Sequence, residues 1–578
     1  MLSFLKKKWC LKEVSNDKAF ALGKELNIPA TVAVLLVNRG IMTAEEATLY
    51  LKSDLSLLHD PFLMAGMDEA VKRVIRAIEN EESITVFCDY DVDGVTSAAF
   101  LTHFFRDLNC PVSAYLPERK AEGYGLNSDA VRKIREQGAS LMITADCGIT
   151  GVKEVALAKE LGLDVIVTDH HQVGEEGLPQ AVSVLNPHRE ECSYPFRFLS
   201  GVGLAFKLAL GVRSGLHTAG RKKEDLPNMK RHLDLFALGT IADVAPLTGE
   251  NHILTRHGLN VLSTSAKPGL VALKEVSGIV GKVDAQSVGF GLGPRLNAAG
   301  RLGKADSGLH LLTATDLGTA KTLAKELEKT NQERKEIQEE TYLEAESLMR
   351  NERDLENERV IVLASEIFHP GVIGIAASKI VDTYHRPTVL IALEDGQGKG
   401  SGRSIPKFNL FKAFTNCSSH LIQFGGHAYA AGLSIEEENI DAFRDAMNEV
   451  GRKFLSDDDL IPELKLDTTL DLSQIDFPFY KNIALLEPFG AENPVPSFQS
   501  KGVKIKELKH MGKEKNHLRF RAVQGGGQIG VIAFNFSSLF ESLDITSEDF
   551  DIAYELHLNS WNGREKLELR LLDIKASD

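Results

Sequence analysis

The sequence predicts an α/β protein in four parts: a parallel-sheet domain, a long connecting helix, a second α/β domain and a small C-terminal β-barrel. Three observations carry this. Short apolar runs alternate with helical stretches from Ile84 onward. No Gly or Pro interrupts the charged run from Thr319 to Glu358. Short strands dominate from Leu464 to the end.

Residues 1–80 read as helical, without identifiable chemistry, and residues 206–232 are equally silent. Next come the apolar runs Ile84–Cys88, Val112–Leu116, Leu141–Ala145, Val165–Thr168 and Val182–Leu185, interleaved with helical stretches such as Ser128–Gln137 and Val152–Leu161. That alternation implies a parallel sheet with helices on its faces. Residues 230–313 add helices and Gly-rich loops. In 318–352, Leu323, Leu327, Thr330, Arg334, Ile337, Thr341, Ala345 and Leu348 recur at roughly helical spacing among Glu, Lys and Arg. This predicts one long solvated helix bridging two domains, with two shorter helices as the alternative. Strands Val360–Ala364 and Thr388–Leu393 flank a helix over Val372–Thr383, and Ser456–Asp459 reads as a linker. Val503–Leu508, His517–Val523, Gln528–Phe534, Ile552–Leu558 and Lys566–Ile574 predict a small barrel such as an OB-fold. The divisions are therefore 1–317, 318–352, 353–455 and 456–578.

Length and composition agree with this division. The 578 residues exceed one domain, and 43% hydrophobic with 25% charged residues is an ordinary globular balance. A net charge of −15 excludes a protein that binds nucleic acid over its whole surface, so any such contact uses local basic patches. The six cysteines form no C-x-x-C pair, which argues against a zinc ribbon and for a reducing compartment. The N-terminus has no apolar signal region, and no apolar run is long enough to span a membrane. The expectation is a cytoplasmic protein with no membrane partner.

The chemistry concentrates at strand ends. Asp89-Tyr90-Asp91-Val92-Asp93-Gly94 follows the first strand of the sheet. Three carboxylates so close repel one another unless a cation sits between them. The carboxyl ends of parallel strands are where ligands bind, and Gly94 permits close backbone approach. An acidic turn capping the next helix is the plain alternative. Asp146-Cys147-Gly148 and Asp169-His170-His171 end two further strands, and Asp243 lies in a fourth segment, Gly239–Val244. Carboxylates with one or two imidazoles suit Mn²⁺ or Mg²⁺ rather than zinc. Such a set can hold two ions about 4 Å apart, activate a water and stabilise an in-line phosphoryl displacement. Phosphoester hydrolysis is the natural reaction.

Asp89–Gly94, Asp146–Gly148 and Asp169–His171 resemble the first three motifs of the DHH phosphoesterases. LGTIADVAPL (238–247), GPRLNAAGRL (293–302), HPGVIGIAASKI (369–380), SGRSI (401–405) and FGGHAYAAGL (424–433) resemble, in order, those of the RecJ single-strand exonucleases. The resemblance covers roughly residues 35–570. It implies that the sheet domain is a DHH catalytic domain and the second α/β unit the DHH-associated domain. One ion would be held by Asp89, Asp91 and Asp146. The other would be held by Asp93, Asp146, His170 and Asp243, with Asp146 bridging. His171 would touch the scissile phosphate or orient His170, and Asn297 and Arg301 would contact backbone phosphates. Ser401, Gly402 and Arg403, joined by Arg119, would recognise a 5′ phosphate, with His427 in the same cleft. Glycine there lets backbone N–H groups approach, and arginine makes a bidentate contact.

The barrel carries Lys501, Lys504, Lys506, Lys509, Lys513, Lys515, Arg519 and Arg521, opposed only by Glu507 and Glu514. A positive face on an OB-fold binds single strands, and Phe520, Phe534, Phe536 and Trp561 are candidates to stack bases, with a place in the core as the commoner alternative for the phenylalanines. A solvated basic hairpin is the bland alternative. The expected function is 5′→3′ exonuclease action on single-stranded DNA, releasing mononucleotides, in recombination and repair. A single-strand binding protein and a helicase are the implied partners. A small-substrate DHH phosphodiesterase, acting on oligonucleotides or cyclic dinucleotides, is the first alternative. The barrel argues against it. A non-catalytic replication scaffold is the second, and the intact ligand set argues against that.

Overall fold

The computed structural model describes residues 2–577 except 14–15, 118–124, 303–305, 353–356, 544–547 and 562–563. Two compact units result: Leu49–Arg334 with Glu487–Pro494, and Met1–Thr48 with Lys335–Leu486 and Val495–Asp578. The chain opens with β1 (Lys8–Leu11), which belongs to the second of these.

The first unit is built on β2 (Ile84–Cys88), β3 (Val112–Tyr115), β4 (Leu141–Ala145), β5 (Asp164–Thr168) and β6 (Ser183–Leu185), all parallel in the order β3-β2-β4-β5-β6. Every residue of β2 and β4 is buried, as a sheet covered on both faces requires. Ile84, Val86 and Cys88 enter one core with helices α1 (Val92–Asp107), α2 (Gly201–Thr218) and α3 (Leu233–Ala242), while Phe87 enters the opposite core. From β2 the chain crosses outward to β3, then returns to β4 on the other side. The switch point therefore lies between β2 and β4, where an open parallel sheet leaves a crevice for ligands. The register pairs Cys88 with Ala145 and Ala145 with Thr168. Asp89, Asp146 and Asp169 consequently leave the sheet side by side. Helix α4 (Gly293–Leu302) follows a π-helical turn over Ser287–Leu292.

Helix α5 runs unbroken from Leu317 to Glu352, as one helix rather than two. In the second unit, β7 (Ile361–Ser365), helix α6 (Ile373–Tyr384), β8 (Thr388–Glu394), β9 (Gln397–Arg403), β10 (Gln423–Gly426) and β11 (Ala430–Glu436) build a sheet ordered β10-β11-β9-β8-β7. Only β7 and β8 are parallel. The sequence reading missed β9, since QGKGSGR contains no apolar residue. The fold shows why. A Cβ at Gly398 would lie 2.5 Å from Ile391, one at Gly400 2.7 Å from Leu433, and one at Gly402 2.6 Å from Leu410. The neighbours' side chains fill the space that β9 leaves.

Then follow β12 (Glu463–Leu466), β13 (Thr468–Thr469), β14 (Ser497–Met511), β15 (His517–Gln524), β16 (Gly527–Ala533), β17 (Phe550–Trp561) and β18 (Arg564–Ala576). The order β14-β15-β16-β18-β17 closes through β14–β17 pairing into a five-stranded barrel. Residues 1–48 pack with this barrel, which corrects their assignment to the catalytic region and the reading of 1–80 as helical alone. β1 pairs in parallel with β12, the Trp9 indole donates to Asp573 at 2.9 Å, and Asn38 donates to the Asp467 carbonyl at 3.0 Å. Four residues without alternation gave β1 no legible pattern. Among the described residues no single helix is long and apolar enough to cross a membrane.

Candidate metal centre and anion-binding strand

The acidic loop after β2 is shaped by its own hydrogen bonds. Asp91 caps α1, its Oδ1 accepting the Gly94 N–H at 3.0 Å. The capping alternative and the cluster are thus both realised. A Cβ at Gly94 would lie 2.4 Å from the Asp89 carbonyl oxygen, so the loop closes only around glycine. Asp93 is buried in the first turn of α1, and its carboxylate accepts the backbone N–H groups of Gly201 and Val202. Asp146 holds a left-handed backbone, φ 64°, with its N–H donated to the Thr168 carbonyl at 3.0 Å. Asp243 ends α3.

Three sets of side chains offer ligand atoms within 4.8 Å of one another: Asp89, Asp91 and Asp146; Asp93, His170 and Asp243; and Asp146, His170 and His171. The first has the members of one expected ligand group; the second has Asp93, His170 and Asp243 of the other without Asp146, whose Oδ1 lies 3.0 Å from His170 Nε2. Burial, and then the charge of Asp91, push Asp93 up to about 7. Burial with Asp93 and Asp91 pushes Asp243 up to about 9. Burial and four neighbouring carboxylates raise Asp146 well above the carboxylate range.

The adjacent histidines divide. Burial, then the charge on His171, hold His170 down at about 4, a neutral imidazole. Burial alone would lower His171, but Asp169 accepts from its Nδ1 at 2.7 Å and raises it to about 9. His171 is therefore a half-exposed cation, aimed by a buried acid. Asp169 also accepts the Ile149 N–H at 2.9 Å; it orients and does not join the ligand sets.

This arrangement fits a divalent cation by a direct observation. Asp146 Oδ1 and His170 Nε2 are buried, stand within contact distance and make no hydrogen bond. Two buried polar atoms left so are costly. With the imidazole neutral, Nε2 can present a lone pair, and a shared cation would satisfy both atoms. All ligand atoms are oxygen or imidazole nitrogen, suiting Mn²⁺ or Mg²⁺. Beside them, Asn297 on α4 accepts the Val92 N–H at 3.2 Å through Oδ1, bracing the acidic loop. Arg301, four residues on, is half-buried in the next turn of α4.

In the second unit Ser401 and Arg403 point from β9 toward the start of α6. Arg403 donates to the Ser401 hydroxyl at 3.1 Å, and a Cβ at Gly374 would lie 2.8 Å from the guanidinium. A cation and a hydroxyl thus lie beside the first turn of a twelve-residue helix, an arrangement that suits an anion. One expectation needs correcting. β9 is paired on both sides, Ser401 with Leu390 and Gly432, so its N–H groups serve the sheet ladders rather than a phosphate. Gly402 faces Leu410 and Phe414 in the core. His427 is exposed in the turn after β10. Arg119 lies outside the described residues.

On the barrel Lys504, Lys506, Lys513 and Lys515 are exposed. Arg519 is paired with the buried Glu568, and Arg521 with Glu507 at 3.1 Å. Both line an open hollow of about 500 Å³ with Lys509 and Lys566. Phe520 and Phe536 are buried and belong to the core, so they do not stack bases. Phe534 is 46% exposed, beside Arg570 and His517. The side chain of Trp561 lies outside the described residues. Sequence reasoning missed the orienting role of Asp169 and the close-packed Gly201, Gly239 and Gly374. The D-H-H triplet carried a signal for the first; the glycines carried none without the fold.

Comparison with known proteins agrees with this fold. Residues 83–240 match the DHH family N-terminal domain, 357–453 the DHHA1 domain and 466–573 the RecJ OB domain. The chain is 38% identical over 576 residues to the single-stranded-DNA-specific exonuclease RecJ of Bacillus subtilis, covering 99% of this chain and 71% of that protein. It is 34% identical over 561 residues to RecJ of Escherichia coli K12, covering 95% and 96%. The crystal structure of Thermus thermophilus RecJ in complex with Mn²⁺ matches with a TM-score of 0.82 at 30% identity, covering 99% of this chain and 80% of that one. The Mg²⁺ complex matches at 0.76 and 28%, covering 99% and 79%.

Proposed function

The chain belongs to the RecJ family of single-stranded-DNA-specific exonucleases, and from that membership we propose how its residues divide the work of removing mononucleotides from a 5′ end. It is a metal-dependent exonuclease acting on single-stranded DNA, with Mn²⁺ or Mg²⁺ as cofactor. Asp89, Asp91 and Asp146 would hold one divalent ion, and Asp93, Asp146, His170 and Asp243 a second. When bound, such a pair supplies an activated water and charge stabilisation for both oxygens of an in-line displacement.

The chain's own residues do the rest. His171, kept cationic by Asp169, faces the negative charge that builds on the scissile phosphate. Asn297 braces the acidic loop, and Arg301 contacts the strand's phosphates. Ser401 and Arg403 hold the terminal 5′ phosphate through their side chains, with His427 and Arg119 as further contacts and Gly402 as the close-packed spacer between them. Lys504, Lys506, Lys513, Lys515, Arg519 and Arg521 hold the strand on the barrel. The reading implies work in recombination and repair, in the cytoplasm, with a helicase and a single-strand binding protein as partners.

The observation that carries the proposal is the convergence of acids from three segments and imidazoles from a fourth around the buried, unsatisfied Asp146 and His170 pair. The test is digestion of 3′-labelled single-stranded and duplex DNA with Mn²⁺ or chelator. Shortening from the 5′ end, on the single strand and with metal only, is expected. Intact DNA alongside cleavage of a cyclic dinucleotide would overturn the substrate assignment.

A further inference from the structure

We propose that the N-terminus of helix α2 is the positioning device of the metal centre, and that Gly201 is the positioning residue that lets it close on the carboxylates. The inference rests on the metal-centre reading and goes beyond its ligand set.

Asp93 has no freedom to turn. The Gly201 N–H donates to one carboxylate oxygen and the Val202 N–H to the other, at 2.9 Å. These two N–H groups belong to the first turn of α2, where no helical carbonyl can accept them. One donor on each oxygen fixes the plane of the carboxylate and leaves a lone pair on each for an ion. The eighteen-residue helix also brings its positive end to this point. Such contacts behind a ligand set its orientation before the ion arrives.

The close approach depends on an absent side chain. A Cβ at Gly201 would lie 2.5 Å from the Asp146 Cβ and 2.8 Å from its Oδ1. The turn that clamps Asp93 therefore rests against Asp146, the proposed bridging ligand. Helix α3 closes the opposite side under the same constraint. A Cβ at Gly239 would lie 2.2 Å from Thr96 Oγ1 and 2.9 Å from Asp93 Oδ1. The two helices are tied at this point by a buried hydrogen bond between Ser200 and Thr240, 2.9 Å. Gly203, one residue beyond Val202, differs: its Cβ would meet Leu199 at 3.2 Å and no carboxylate.

The test compares Mn²⁺ binding, by calorimetry on the metal-stripped full chain, in the parent, Gly201→Ala, Val202→Pro and Gly203→Ala proteins. Val202→Pro deletes one donor without adding a methyl against Asp146. Circular dichroism and melting temperature report whether each variant folds. Gly201→Ala and Val202→Pro should each weaken Mn²⁺ binding by about 10–100-fold, and nuclease activity lost at limiting Mn²⁺ should return at high Mn²⁺. Gly203→Ala should bind Mn²⁺ like the parent. Should folded Val202→Pro protein, or folded Gly201→Ala protein, bind Mn²⁺ as the parent does, the positioning role is wrong while the metal reading stands. Failure of the parent itself to bind Mn²⁺ overturns both.

Discussion

The strand ends of the first unit and the end of β9 in the second present opposite electrostatics. At the strand ends, carboxylates are driven together in a buried place, with Asp93, Asp146 and Asp243 all pushed up and two polar atoms left unsatisfied. At β9 the cation Arg403 is already hydrogen-bonded to Ser401 and to the Gly402 carbonyl at 2.8 Å. The first region leaves buried polar atoms that a cation would satisfy. The second already has hydrogen-bond partners of its own.

Breaking the first region should have the largest effect. Asp146→Asn should reduce nuclease activity by at least about 1,000-fold, measured on labelled single-stranded DNA. The same change should raise the melting temperature of metal-free protein by about 2–4 °C, since it removes a buried repulsion. His171→Gln should lower kcat by about 100-fold with Mn²⁺ affinity kept, because the cation is lost but the ligands remain.

The first region also predicts a pH dependence. Its raised carboxylates retain protons in the metal-free fold, so an incoming ion must displace them. Mn²⁺ affinity should rise from about pH 6 to about pH 9, with proton release measurable by calorimetry in buffers of different ionisation enthalpy. Metal-free stability should run the other way. Folded-state values above the ordinary carboxylate value mean that the fold binds more protons than the unfolded chain, so stability falls as pH rises through that window.

Breaking the second region should be milder and selective. Arg403→Ala should cost about 10–100-fold on 5′-phosphorylated strands, what a charged hydrogen bond is worth, and much less on 5′-hydroxyl strands. Melting temperature should scarcely change. The smallest effect belongs to the barrel. Replacing Lys513 and Lys515 by alanine should weaken strand binding at low salt and reduce the salt slope by about 0.7 per lysine, with kcat unchanged.

The contrast also explains what was legible in the sequence. Most of the candidate metal ligands sit at the ends of apolar strands, so Asp89, Asp146 and His170 stand out in the sequence alone. The five sheet strands were legible for the same reason. β9 was not, because three glycines make room for Ile391, Leu433 and Leu410, and pattern reading needs side chains. β1 was too short to show alternation. Phe520 and Phe536 were offered as stacking residues, although phenylalanine in a strand serves a core equally well, and only burial separates the two. Gly201 illustrates the general limit: its function is the absence of an atom at one point in space.

The most direct test of the central claim is anomalous diffraction from crystals grown with Mn²⁺, for the parent and for Asp146→Asn. Two manganese peaks are expected in the parent, one among Asp89, Asp91 and Asp146 and one among Asp93, Asp146, His170 and Asp243, with at least one lost in the variant. Peaks elsewhere, or no peak at these strand ends at saturating Mn²⁺, would contradict the account.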